Sequence, residues 1–224
     1  MKKAVPEGYD FLLSTEDNYS TDITEYVGEF AEFRRLVDRD YHKQYTPERQ
    51  LVQDGIMLGF TATIVEDVST LEMGEIPDRN WLVFTAGAMG AGKTHTLQWL
   101  NNNRIFPLAS FVRVDPDALR ELLPEYDEYI MRDKDSMGKL TQKEVGYLSE
   151  LLTLHSLKEG KNVLIDGSLR NAEWHKSYIS SVQDEYPTIR TAILHVIASE
   201  ETVMARCLRR ASPADTCPRT LSWP

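Results

Sequence analysis

At 224 residues, with 42% hydrophobic and 27% charged side chains, the chain has the composition of an ordinary globular protein, long enough for one substantial core or one domain with a helical extension. Its 35 acidic residues outnumber 25 basic ones, a net charge of −10 that repels a polyanion, argues against broad nucleic-acid binding and leaves a small anionic ligand open. No apolar run approaches the roughly 18 residues of a membrane span, no apolar stretch follows Lys2 and Lys3 as in a secretory signal, and Cys207 and Cys217 suit neither a disulfide framework nor a metal site, so the cytoplasm is the expected compartment.

Two helical patterns come first. From Asp22 to Asp38, Ile23, Tyr26, Val27, Phe30, Phe33 and Val37 recur at three- and four-residue spacing, which predicts an amphipathic helix. A second helix is expected from Thr46 and Pro47, an N-cap and first-turn pair, with Leu51, Val52, Ile56 and Phe60 as its apolar residues. The stretch from Glu66 to Asn80 lacks periodicity and reads as a connector.

The apolar run from Trp81 to Phe84 then leads into Gly87, Ala88, Met89, Gly90, Ala91, Gly92, Lys93 and Thr94, a complete G-x-x-x-x-G-K-[ST] pattern. A strand that delivers the chain to such a loop lets successive backbone N–H groups surround phosphate oxygens, while Lys93 reaches the β- and γ-phosphates and the Thr94 hydroxyl holds Mg²⁺. The helix expected to open near Lys93 directs its positive end at the same anion, which places His95 in the nucleotide site as well.

Beyond the loop, the strand-like runs Phe111–Val114, Asn162–Asp166 and Thr191–Ile197 alternate with helical patterns, which predicts a parallel sheet with right-handed crossovers. The helix before the third strand is expected to start at a capping box, Thr141 with Glu144, to carry Val145, Leu148, Leu151, Leu152 and His155 on one face, and to stop at Gly160. After Ala211 come three prolines and no amphipathic period.

Acids stand where a phosphate-binding loop needs them. Asp166, at a strand end, suits the acidic position near Mg²⁺, or else caps the following turn. Asp115 before Pro116 reads mainly as a helix N-cap. Asp117, in that helix's first turn, is the better general base, although the helix dipole alone would also favour an acid there. The five histidines lack metal-ligand spacing.

Taken together, the glycine-rich loop, the segment Asp115 to Arg120 and the run Gly160 to Arg170 resemble the zeta toxin-like P-loop kinases over about residues 81 to 211. The resemblance implies an α/β fold, a P-loop kinase-type parallel sheet flanked by helices. Residues 1–80 would be an N-terminal helical extension and connector, and 81–224 a kinase domain, incomplete at its C-terminus. It implies an enzyme using ATP and Mg²⁺, which in bacterial members phosphorylates a hydroxyl of a UDP-activated amino sugar. Lys93 and Asp117 would be catalytic, and Asp117, Arg120, Glu150, Asp166, Ser168 and Arg170 would meet the substrate. Thr94 and Asp166 would serve the metal. Asp166 stands where the family commonly has Glu. Arg209 or Arg210, with Arg219 as a second, would stabilise the transferring phosphoryl group from a lid. An antitoxin-like protein partner is compatible with this family but has no residues of its own to support it.

Two other functions share the loop: a polynucleotide 5′-hydroxyl kinase, which the acidic balance disfavours, and a non-catalytic ATP-binding regulatory module. A GTPase switch lacks its N-K-x-D segment, since Arg132, Asp133, Lys134 and Asp135 do not form one.

Overall fold

The computed structural model describes residues 5–68 and 80–211. In chain order they form α1 (Thr15–Tyr19), α2 (Pro47–Val68), β1 (Trp81–Ala86), α3 (Lys93–Asn102), β2 (Phe111–Val114), α4 (Pro116–Glu121), α5 (Tyr126–Lys158), β3 (Asn162–Ile165), α6 (Ala172–Glu185), β4 (Arg190–His195) and α7 (Glu200–Ala211). The expected alternation of strands and helices is therefore present. The four strands are parallel in the order β2-β3-β1-β4, with Phe84 opposite Ile165 on one side and Ile193 on the other.

Strand residues alternate between two cores, because successive side chains leave a sheet on opposite faces. Leu82, Phe84, Val114 and Val163 join the larger core with α5 and the N-terminal segment, whereas Val83, Phe111 and Leu164 pack with Leu97 of α3 on the other face. Both faces are covered, as a parallel sheet requires.

The helix expected over Asp22–Asp38 is absent. Only Phe33–Arg35 make a short 3-10 turn, and the rest is irregular. Gly28 breaks the pattern: its φ is +78°, and a Cβ there would lie 1.9 Å from Asp54 Oδ2. Backbone groups that a helix would pair internally bond to α2 instead. Glu29 N donates to Asp54 Oδ2 (2.7 Å), Val27 N to Gln50 Oε1 (3.0 Å), and Gln50 Nε2 to Glu25 O (2.7 Å). Buried Arg34 donates to Val27 O, Gln50 O and Asp54 Oδ1. Phe30, Phe33 and Val37 still reach the core, so the spacing recorded burial and not helicity.

Helix α2 begins at Pro47 as expected and continues through Val68, into the first part of the expected connector; residues 69–79 lie outside the described ones. Its most buried face is polar: Arg49, Gln50, Gln53 and Asp54 are buried together with Met57, while Leu51 is half exposed. Arg49 makes a double fork. Its Nη1 and Nη2 donate to Glu125 Oε1 and Oε2 (2.9 and 3.0 Å), and its Nε and Nη2 to Glu144 Oε1 and Oε2 (2.7 and 2.8 Å). Gln53 adds a donor to Glu144 (2.8 Å), and the Arg49 guanidinium lies 4.0 Å from the Tyr19 ring centroid. One guanidinium thus ties α1, α2 and α5 together.

The capping box expected at Thr141 is also corrected. The chain enters the final segment of α5 at Asp133, whose non-helical backbone (φ −158°, ψ 97°) lets its carboxylate cap the N–H groups of Asp135 and Ser136. Thr141 lies two turns inside the helix, its hydroxyl on Met137 O, and Glu144 spends its oxygens on Arg49 and Gln53. The stop at Gly160 is as expected. Among the described residues, no helix is long and apolar enough to cross a membrane.

Candidate functional site

Central strand β1 ends at Ala86 and hands the chain to the glycine-rich loop. Gly87 is bound from two sides: its N–H donates to Ser168 O (3.3 Å), and at its φ of +137° an added Cβ would lie 2.3 Å from Val196 O. Any side chain there would push the loop off the sheet edge. Gly92 caps α3 without a side-chain acceptor, so the first N–H groups of α3 point into the loop unclaimed by a capping side chain. Lys93 Nζ donates to Gly87 O (2.9 Å) and Ala88 O (3.3 Å), which folds the loop around its own ammonium. These features fit a nucleotide's phosphates: a backbone cradle closed to Cβ atoms, a helix N-terminus and one mobile-stemmed cation.

From the other side α7 touches the loop. Arg206 Nη1 donates to Gly90 O (3.0 Å) and Ala91 O (3.1 Å), and Cys207 Sγ to Met89 O (3.4 Å). The arginine brought to the loop is therefore Arg206. Arg206 and Arg209 are both exposed, and it is Arg206 that meets the loop among the described residues; the Arg210 side chain and Arg219 lie outside them.

A cleft of about 840 Å³ runs from the loop along the carboxyl edge of the sheet, where ligands settle in open parallel folds. Met89, Gly90, Gly92, Lys93, Thr94 and His95 line one end, and Asp117, Arg120, Glu150, Asp166, Ser168 and Arg170 line the remainder. Residues from four separate sequence segments thus meet in one space.

Asp115 caps α4 as expected, accepting from Asp117 N (3.0 Å) and Ala118 N (3.3 Å). Burial pushes its carboxyl above the ordinary range, against the pull of Arg113 and with the push of Asp166. Asp117 has a 68% exposed side chain paired with Arg120 Nη1, and Arg120 is itself braced on α5 through Thr141 Oγ1 (3.0 Å) and Gln142 Oε1 (3.2 Å). Asp166 is only 8% exposed; Oδ2 pairs with Arg113 and Oδ1 lies 2.9 Å from the Thr85 hydroxyl. No group of three or more His, Cys, Asp or Glu forms a metal cluster among the described residues. The residues that would hold a Mg²⁺ ion with a nucleotide's phosphates, Thr94 and Asp166, both line the cleft, and Arg113 and Thr85 already engage the two Asp166 oxygens.

Between Ser168 and Arg170, Leu169 adopts φ +53°, a left-handed conformation that costs a branched residue about 1–2 kcal/mol. Its side chain packs on the large core, which holds the two exposed residues beside it at the cleft. Sequence reading missed this strain, and it missed Arg113 and Thr85. Arg113 had a signal, a lone charge inside the apolar strand Phe111–Val114; Thr85, within β1, had none.

A model of the zeta toxin family, described as "Zeta toxin", matches residues 70–223. The chain belongs to the zeta toxin family. It has the family's P-loop kinase-type α/β fold, and the family is generally one of kinase-type phosphotransferases. Among solved structures the chain is similar to one from the PezAT chromosomal toxin–antitoxin system of Streptococcus pneumoniae, with 20% identity and a TM-score of 0.53 over 70% of this chain and 64% of that one. It is also similar to one from the native AvrRxo1-ORF1:-ORF2 complex, with 15% identity and a TM-score of 0.45 over 90% of this chain and 60% of that one. The chain thus spans less than two thirds of either structure. No curated protein matches it.

Proposed function

We propose that this zeta toxin family chain is an ATP-dependent phosphotransferase that moves the γ-phosphate onto a hydroxyl of a small anionic acceptor, such as a UDP-activated amino sugar. One observation carries the reading: the phosphate loop and the acids selected as base and acceptor ligands open into a single cleft. In this reading Gly87 to His95 hold the nucleotide, and Lys93 transfers its donors from Gly87 O and Ala88 O to phosphate oxygens. Thr94 and Asp166 serve Mg²⁺, which neutralises phosphate charge when bound. Asp117 takes the acceptor's proton, while Arg120, Glu150, Ser168 and Arg170 hold the acceptor. Residues 81–224 would carry the chemistry and 1–80 the extension. The reading needs ATP and nucleotide sugars, hence the cytoplasm, and the toxin–antitoxin system named for the S. pneumoniae structure makes a protein antitoxin a fitting partner.

The test is transfer of labelled γ-phosphate to a panel of nucleotide sugars and to oligonucleotide 5′ ends. Transfer to a nucleotide sugar, lost in Lys93→Ala, is expected; transfer only to oligonucleotides would replace the reading with a polynucleotide kinase. ATP binding without transfer to any acceptor would favour the regulatory module.

Contact with the loop carbonyls also favours Arg206 over Arg209 as the lid cation. Arg206→Ala is expected to slow transfer at least about a hundredfold, the scale of losing one transition-state donor. Arg209→Ala should leave the rate close to wild type. The reverse ranking in the same assay would return the role to Arg209.

A further inference from the structure

The N-terminal segment precedes residues 70–223 matched by the family, yet it builds part of the cleft. Tyr41 lines the cleft, its ring 5.5 Å from that of Trp174, which stacks on Tyr178 at 5.1 Å and 11°. The segment is pinned there: Lys143 Nζ of α5 donates to Tyr41 O (2.9 Å) and lies 3.2 Å from the Tyr41 ring centroid. His42, the next residue, is wholly buried behind that wall, with Nε2 2.6 Å from Oε1 of Glu150, itself 6% exposed and part of the cleft lining. The Tyr41 and Tyr147 rings close around the imidazole at 4.8 and 5.3 Å.

We propose that His42 is a positioning residue for Glu150, so that the N-terminal segment completes the acceptor end of the cleft. The inference rests on the phosphotransferase reading above. A buried carboxylate without a donor either takes up a proton or turns away. A donor on Oε1 fixes its plane and leaves Oε2 to accept a hydroxyl or amide hydrogen from the acceptor. Because His42 acts through Glu150, it governs acceptor binding and not the nucleotide end of the cleft.

The experiment is steady-state transfer to the nucleotide-sugar panel at saturating Mg²⁺-ATP. It compares wild type, His42→Phe, His42→Gln, Glu150→Gln and the double variant His42→Phe/Glu150→Gln. His42→Phe keeps a ring without a donor and is expected to raise the acceptor KM about tenfold or more, the scale of one hydrogen bond to a charged group. The KM for ATP should not move. His42→Gln, which offers an amide donor near the Nε2 position, should recover most of the loss, and the double variant should be no worse than Glu150→Gln alone. An unchanged acceptor KM in His42→Phe, an equally impaired His42→Gln, or additive losses in the double variant would overturn the inference. If His42→Phe does not fold by circular dichroism, Tyr41→Leu decides instead: a raised acceptor KM supports the segment's part in the site, and an unchanged one removes it. Wild type that binds ATP but transfers to no panel member removes the phosphotransferase reading and this inference with it. Wild type that transfers and is indifferent to His42 removes only the inference.

Discussion

Arg49→Met is expected to destabilise the folded chain by about 3–5 kcal/mol, the cost of stripping the counter-ion from a buried charge group. Glu125 and Glu144 have 0% exposed side chains, and Arg49 is the cation shared between them. Methionine roughly preserves the stem volume, so the loss is electrostatic and not a cavity effect. At about 2–4 °C per kcal/mol for a chain of this length, thermal melting should fall by roughly 6–20 °C. Replacing all three charges together, Arg49→Met/Glu125→Leu/Glu144→Leu, should restore much of it, because the desolvation cost disappears with the charges. An Arg49→Met melt within a degree or two of wild type would mean that water reaches the cluster. The same group sets an acid dependence. Burial alone would push the Glu144 carboxyl up, but the Arg49 guanidinium and the Gln53 amide outweigh it and hold it below its ordinary value of 4.5. The unfolded chain then binds this proton more readily than the folded one, so the stabilisation is complete above that value and lost as pH falls below it. The gap between wild type and Arg49→Met should therefore narrow in acid.

What could be read from the sequence was whatever depends on local pattern. The strand-to-loop-to-helix passage at Gly87 to Thr94 is written in glycines and a lysine, and the Asp115-Pro116 cap needs only its neighbours. The four strands stood out as apolar runs, although β4 ends at His195 and not Ile197. Errors came where a distant element satisfied the backbone. Residues 22–38 have helical spacing, but Asp54, Gln50 and Arg34 claim the groups a helix would pair. Thr141 and Glu144 have capping-box spacing, yet Glu144 belongs to an arginine 95 positions away. In α2, Arg49, Gln50, Gln53 and Asp54 have the polarity of a solvated face and form the buried one. Glu150, named only through the resemblance, is buried as well. His42, 108 positions earlier, lies 2.6 Å from its Oε1.

Asp117→Asn is expected to cut phosphotransfer by about 10²–10⁴-fold, the range for a positioned general base, while ATP affinity stays close to wild type. The prediction turns on which of two neighbouring acids has a lone pair to spare. Asp115 Oδ1 accepts two backbone N–H groups and Oδ2 faces Arg113, so its carboxylate is committed to holding α4 against the sheet edge. Asp115→Asn keeps a cap acceptor but gives up the charge facing Arg113, so it should act on stability, by about 1 kcal/mol or less, and not on transfer. Asp117 carries no such duty. Its side chain is 68% exposed, it lines the cleft that also holds Lys93, and its ion-pair partner among the described residues, Arg120, is anchored on Thr141 and Gln142. An arginine braced in this way can orient the carboxylate without enclosing it, so a proton taken from an acceptor hydroxyl has a route to water. Asparagine keeps the size and the helix position but cannot take the proton. Measuring kcat, acceptor KM and ATP Kd for both variants separates the roles: equal transfer by Asp117→Asn and wild type would remove Asp117 as the base, and a larger kcat loss in a fully folded Asp115→Asn would move the role two residues back.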